Sequence, residues 1–231
     1  MISSKPHIVA FTGTVGSGKS TQVRLLAREL NRKGIKAKVS FLKTGHLFAY
    51  LLEVILAKIL VTWRKDVSPI RALIEEKPHI FKKIFRLWLG LDIISIVTKF
   101  LFSIYLPLKL GYMVLVEEYV PATISDYLWL SRMINFKLKP KSFAITLLIR
   151  LMDLGGFTHI VFLDANDDEL RRRWRRRGSP YERGDYLNMQ RTILLRISRV
   201  LSYNGVLYVR DQTIEMAHQL IKKHLSIGQY G

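Results

Sequence analysis

Eight residues near the start of the chain, Gly13-Thr14-Val15-Gly16-Ser17-Gly18-Lys19-Ser20, fit the pattern G-x-x-x-x-G-K-[ST]. The residue types dictate the chemistry. Glycines let the backbone curl so that its N–H groups converge on phosphate oxygens, and the N-terminus of a following helix adds positive potential. Lys19 brings a mobile charge to the β and γ phosphates of a nucleotide, and Ser20 brings a hydroxyl for Mg²⁺. The glycine order is G-x-x-G-x-G, so the dinucleotide fingerprint G-x-G-x-x-G is absent.

Such a loop needs a carboxylate on a neighbouring strand to organise the metal or accept a proton. Val114-Leu115-Val116-Glu117-Glu118 offers one: an apolar run sinks into the core and its acids emerge at the C-terminal end, where ligands bind in such sheets. Asp164, after the apolar run His159–Leu163, competes for the role. Glu117 is the preferred catalytic and metal-side acid, paired with Ser20. Leu170–Gly178 carries six arginines in seven positions, Arg171 to Arg177 around Trp174. Like charges this crowded repel one another in a free helix, and an arriving anion relieves them. Arginine suits a transferring phosphoryl group because its charge is fixed and its donors form a rigid fork. Arg172, Arg176 and Arg177 are the chosen catalytic arginines, and Gly178 and Pro180 give the segment 168–185 the freedom of a lid.

The elements that must position these groups follow from periodicity. His7–Thr12, Lys38–Leu42, Tyr112–Val116, His159–Leu163 and Val206–Val209 are short apolar runs of strand length. Helical patterns lie between them: Lys19–Lys33, Leu47–Trp63, His79–Leu110, Ser125–Asn135, Ser142–Leu154, Asp167–Arg177, Tyr186–Leu201 and Thr213–Leu225. Arg64–Pro78 reads as polar and irregular. Strands that alternate with helices and are apolar throughout imply an α/β fold, a parallel sheet covered on both faces. No linker or repeat divides residues 1–231, so one P-loop domain is expected, with a single core.

Composition sets further bounds. Of 231 residues 49% are hydrophobic, which excludes a disordered chain. No cysteine is present, so disulfides, Cys-based zinc sites and thiol nucleophiles are excluded; a cytoplasmic location is the matching expectation. The apolar region Ile84–Val116 is interrupted by Arg86, Asp92, Lys99 and Lys109 and reads as a buried helix rather than a membrane span of ~20 apolar residues. The first apolar run leads straight into the phosphate loop and is not read as a signal peptide. The net charge is +19, and residues 1–109 alone carry 19 basic against 6 acidic residues. Such a field favours polyanions: nucleotides, nucleic acid or an anionic membrane surface.

Taken together these pieces resemble the thymidylate kinase family of P-loop nucleoside monophosphate kinases over nearly the whole chain. The loop continues Gly18-Lys19-Ser20-Thr21-Gln22, and a Gln there is typical of the family. Leu87–Ile93 resembles the segment that ends Ala-Asp-Arg, and Glu117-Glu118-Tyr119 stands where the family has Asp-Arg and an aromatic. The basic lid, the 186–196 helix and the tail Tyr208-Val209-Arg210-Asp211 align in order. The resemblance implies a five-stranded parallel sheet, Mg-ATP as donor, a nucleoside monophosphate (dTMP) as acceptor, and often a homodimer packed through the long helices. It places adenine against Asp211, Gln212 and Thr213, adds Thr21 to the phosphate loop, and puts Lys43, Asp92, Glu118 and Tyr119 at the acceptor.

Three departures bear on that acceptor. Ile93 and Glu118 stand where the family has arginines, and Lys43-Thr44-Gly45-His46 replaces Arg-Glu-Pro-Gly. Either Lys43 or another base replaces the missing cations, or the acceptor is not dTMP. The alternatives are a P-loop kinase with a hydroxyl acceptor, a deoxynucleoside or lipid-like alcohol, and an ATP-binding basic protein that acts on nucleic acid or a membrane.

Overall fold

A computed structural model describes residues 7–63, 67–202 and 205–225. Five strands form one parallel sheet in the order β2-β3-β1-β4-β5: β1 Ile8–Gly13, β2 Ala37–Leu42, β3 Met113–Glu118, β4 Thr158–Asp164 and β5 Val206–Arg210. β1 lies at the centre. From β1 the chain crosses to the edge strand β2, returns to β3 between the two, and then builds outward on the other side through β4 to β5. The C-terminal ends of all five strands therefore open on one edge, with the crevice of a doubly wound sheet beside β1.

Alternation along the strands divides the core in two. Ile8, Ala10, Val114, Val116 and Ile160 point to one face, and Val9, Phe11, Leu115, Val161 and Leu163 to the other. The second face is covered by α1 (Lys19–Arg32), through Val23, Leu26, Ala27 and Leu30, and by α11 (Ile214–His224), through Ala217 and Ile221. The first face is covered mainly by α2 (Leu47–Leu60), α4 (Pro78–Phe100), α6 (Val120–Met133) and α7 (Phe143–Gly155). A π turn, Leu101–Tyr105, joins α4 to α5 (Leu106–Lys109).

α4 buries one stripe, Phe81, Phe85, Trp88, Asp92, Ile96 and Phe100, spaced three and four residues apart as a single helical face requires. Trp88 stacks on Phe85 and meets the edge of Tyr127. The expectation of a buried helix holds on this face only: Leu87, Ile94, Leu101 and Phe102 are exposed. By length and composition alone, Pro78–Lys109 is long and apolar enough to cross a membrane.

The expected strands and helices are present with shifts at their ends. One reading is corrected: the segment taken as irregular contains α3 (Pro69–Glu76), whose Ala72, Leu73 and Ile74 are buried. Pro69 and Pro78 each stand in the first turn of a helix, where the missing N–H costs nothing. Residues 64–66 of that segment lie outside the described residues. α8 (Asp167–Arg177) has the expected bounds, with Asn166 as its cap and Gly178 in the left-handed conformation at its end. After it come α9 (Gly184–Met189), a π turn (Gln190–Leu194) and α10 (Leu195–Leu201).

Candidate active site

The phosphate loop joins β1 to α1. Gly13 has φ +131°, and a Cβ there would sit 1.9 Å from the Leu163 carbonyl oxygen, so only glycine fits. Gly16 lies under the Trp174 indole of α8, whose N–H would be 2.6 Å from an added Cβ. Lys19 is buried; its Nζ donates to the Thr14 and Gly13 carbonyls at 2.8 and 3.2 Å and pairs with Glu118 at 3.2 Å. Ser20 Oγ donates to Glu117 Oε1 at 2.6 Å.

That last contact separates the two competing acids. Glu117 reaches the loop serine and is half-buried. Asp164 is buried and committed to the scaffold: it accepts from Thr14 Oγ1 at 2.9 Å, the Ala165 N–H at 2.9 Å, Arg191 Nε at 3.2 Å and Tyr208 OH at 3.1 Å. Gln190 Oε1 accepts from the Val15 N–H at 3.1 Å. Gln190 and Arg191 both belong to the π turn, which aims neighbouring side chains at the loop and at Asp164, as such bulges do at functional sites.

Of the six arginines of α8, four line a cavity of about 640 Å³: Arg172, Arg173, Arg176 and Arg177. Ser17, Gly18, Thr21, Asp211, Gln212 and Thr213 face them across it. Arg173 also donates to the Gly16 carbonyl at 3.2 Å, while Glu169 pairs with both Arg172 and Arg173. Sequence reading missed Arg173, although positions 169, 172, 173 and 176 share a helical face by spacing alone.

A second cavity, of about 340 Å³, lies between α2, α3, α6 and α9. Lys43, just after β2, enters it with its Nζ 3.2 Å from Tyr186 OH and 3.8 Å from Asp126. Burial opposes the Lys43 charge, but Asp126, Tyr186 and Glu118 outweigh it and hold the ammonium well above its ordinary pKa. Tyr186 OH donates to Asp126 Oδ1 at 2.8 Å. Burial pushes the Asp126 carboxyl up, against the pull of Lys43. Glu53, from the apolar helix α2, is pushed up to about 8 by burial although Trp88 Nε1 donates to it at 2.9 Å. Arg71, Trp129, Glu182 and Arg183 complete the polar and aromatic wall. Of the residues around this cavity only Lys43 was singled out from sequence; Glu53 and Asp126, acids inside apolar helices, carried a legible signal.

Two expected acceptor residues are placed elsewhere. Asp92 is fully buried behind the cavity, accepting from the Gly45 N–H and Tyr127 OH, both at 2.8 Å, so it holds the β2–α2 turn rather than a ligand. Tyr119, with φ +90°, turns into the core beside Phe100 and Gly155. Glu118 and Lys43 do line the site: a third space of about 270 Å³ holds Lys19, Ser20, Lys43, Glu117, Glu118 and Arg177.

The loop, the Ser20–Glu117 pair and the arginines fit a nucleoside triphosphate with Mg²⁺. Among the described residues no cluster of three or more carboxylates or imidazoles forms a cage.

Fold and site together define an α/β P-loop protein with two cavities that flank the loop. Its fold is that of the thymidylate kinases. A thymidylate kinase from Candida albicans aligns with 97% of this chain and 93% of its own at 15% identity, with a TM-score of 0.52. One from Ehrlichia chaffeensis aligns with 96% of this chain and 99% of its own at 19% identity, with a TM-score of 0.44. No protein-family model and no curated protein matches the chain.

Proposed function

We propose that the chain is a Mg-ATP-dependent phosphotransferase of the nucleotide-kinase kind. ATP occupies the arginine-lined cavity and a small acceptor occupies the cavity around Lys43. One observation carries this reading. The space at Lys19, Glu117 and Glu118 shares Gly18 and Arg177 with the first cavity and Val15, Lys43 and Glu182 with the second. A phosphoryl group leaving one cavity for the other would therefore pass the loop lysine, both acids and an arginine.

In this reading the loop amides and Lys19 hold the phosphates, and Asp211, Gln212 and Thr213 flank the base. Ser20 and Glu117 would hold Mg²⁺, which supplies charge neutralisation at the transferring group. Arg172, Arg176 and Arg177 balance charge as the phosphoryl moves in line. The acceptor cavity has the volume of one nucleoside-sized molecule, and dTMP is the acceptor implied by the resemblance. A hydroxyl acceptor is the second reading, favoured by the position of Glu118. The test is ADP formation with Mg-ATP and paired monophosphates and nucleosides, with Lys19→Ala as control. Acceptor-dependent ADP that vanishes in the variant supports the reading. ATP hydrolysis indifferent to every acceptor would oppose it.

A homodimer belongs to the same proposal. α2 exposes Phe48, Leu51, Ile55 and Ile59, and α4 exposes Leu87 and Ile94. A second copy packed on these helices would remove that apolar surface from water. Light scattering after size exclusion would give twice the chain mass, reduced to one by Ile55→Glu.

A further inference from the structure

The edge strand β2 and the helical segment beside it form a strip that the kinase reading leaves unused. The end of α4, the π turn and α5 run along β2 in the opposite direction. Lys99 Nζ lies 5.1 Å from the centre of the Phe41 ring, and Ser103 Oγ meets Ser40 Oγ at 3.0 Å. Just past α5, the Met113 N–H donates to the Lys36 carbonyl at 2.8 Å. Phe102, Leu106 and Leu110 recur every four residues, the spacing of one helical face. Phe102 is 68% exposed and Leu110 62%. Val39 and Phe41 are exposed on the strand, and Ile35 just before it. The apolar residues assigned above to a dimer, on α2 and the earlier turns of α4, are not among these.

The exposed charges of these elements have one sign. From Leu30 to Leu52 the chain has five cations and no acid. From Pro78 to Val116 it has five more, and the one acid, Asp92, is buried. Lys36, Lys38 and Lys109 are exposed and pair with no acid among the described residues. Helix α7, which packs on the π turn, adds Arg150 and Asp153, which cancel. Lysines alone would read as guards of an open sheet edge. Guards do not explain phenylalanines and leucines left in water beside them. A second copy laid symmetrically on this strip would set lysines against lysines. Nucleic acid would answer the lysines, but Ile35, Leu106 and Leu110 have no ring to stack on a base. A bilayer with anionic headgroups answers both the apolar and the basic side chains.

We propose that this strip docks the protein on the surface of an anionic lipid bilayer. Phe102, Leu106 and Leu110 enter the boundary between headgroups and acyl chains, and Lys36, Lys38 and Lys109 meet the lipid phosphates. The helix lies on the membrane and does not cross it, because its other stripe, Phe81 to Phe100, is held in the core. The donor cavity lies toward the opposite edge of the sheet, among α8 and the residues after β5, so docking leaves it open to ATP.

The experiment sediments the full chain, without nucleotide, with vesicles of phosphatidylcholine alone and of phosphatidylcholine and phosphatidylglycerol in equal parts. Partitioning onto the mixed vesicles should be at least about tenfold stronger than onto the neutral ones, and should weaken as salt rises. Lys36→Gln with Lys109→Gln should weaken it by about tenfold or more. Phe102→Ser with Leu106→Ser should weaken it by about tenfold. Arg196→Gln with Arg199→Gln removes two exposed cations of α10, beside β5 at the other edge of the sheet, and should leave it unchanged. An equal loss in the α10 pair would mean that the +19 charge acts as a whole, and overturns the strip. Equal partitioning onto both vesicles, or none, overturns the proposal. Full binding by the Phe102–Leu106 variant overturns it too, since charge alone would then suffice. So does light scattering in which that variant has half the mass of the parent, which would assign the strip to a second copy. Single-stranded DNA bound more tightly than the mixed vesicles, through the same lysines and without Phe102 and Leu106, would assign it to nucleic acid and overturn the bilayer. Circular dichroism melts check folding, and if the Phe102–Leu106 variant does not fold, the lysine and α10 pairs decide. No step needs ATP, so failure here leaves the kinase reading standing.

Discussion

Asp164→Asn tests the division of labour between the two strand-end acids. The Asp164 side chain is fully buried and is met by Thr14, the Ala165 N–H, Arg191 and Tyr208, with Arg210 at 3.7 Å. Asparagine retains one acceptor oxygen, enough for Thr14 and Ala165. Its NH₂ then faces the guanidinium of Arg191 and the hydroxyl of Tyr208. Hydrogen bonds to a charged group contribute about 1.5–3 kcal/mol each. Arg191 keeps Asp167 at 2.6 Å and the Ala165 carbonyl at 2.7 Å, so it is not stranded and the lower end applies. The Tyr208 hydroxyl can turn to accept from that NH₂, so the loss is about 1.5–2 kcal/mol, or roughly 3–8 °C in Tm for a chain of this size. Glu117→Gln removes charge from a half-buried acid with one loop contact, and its stability cost is about 1 kcal/mol or less. Thermal melts by circular dichroism and Mg²⁺ titrations of ADP formation are run on both variants. Asp164→Asn should lose stability, and Glu117→Gln should lose Mg²⁺ dependence and rate. An unchanged Tm in Asp164→Asn, together with unchanged Mg²⁺ response in Glu117→Gln, would refute the assignment.

Three further outcomes follow from the geometry. Gly13→Ala drives a methyl group against the Leu163 carbonyl at a backbone angle hostile to L-residues, so denaturant unfolding should show a loss of about 3 kcal/mol or an unfolded chain. Arg177→Ala, on the rim shared by two cavities, should lower kcat by about 10²–10³-fold with Tm unchanged, because the side chain is exposed. Burial holds Glu53 up to about 8, and Asp92 up to about 7 despite its Tyr127 and Gly45 hydrogen bonds. Both acids ionise in the unfolded chain well below these values, so stability falls as pH rises through the unfolded and then the folded pKa. Unfolding free energies measured between pH 5 and 9 should decline, and Glu53→Gln should shrink that decline.

The strands were legible because a parallel sheet buried on both faces writes continuous apolar runs, and all five appear within two residues of expectation. The phosphate loop was legible because its eight residues are contiguous and each answers a local need. Helix α3 was not, since Pro69 reads as a breaker until it is known to stand in a first turn. Asp92 and Tyr119 show a different limit. Alignment with a family gives a position along the chain, whereas a side chain's direction depends on backbone angles that a single sequence leaves open. Tyr119 at φ +90° turns inward, and Asp92 spends its oxygens on Gly45 and Tyr127.

The acceptor side was hardest to read because its charges come from five separate segments, and only their sum has meaning. Lys43 looked from sequence like a spare cation for a phosphate. In the structure it is answered by Asp126 and Tyr186, and Arg71 and Arg183 are answered in turn by acids of α3, of α9 and of the segment before it. Counting basic residues would make this site as attractive to anions as the chain's +19 suggests. Pairing them partner by partner leaves Arg176 and Arg177 of α8 without an acid, beside Arg172 and Arg173, which share Glu169, and in the proposed reading that field faces the phosphates of the donor.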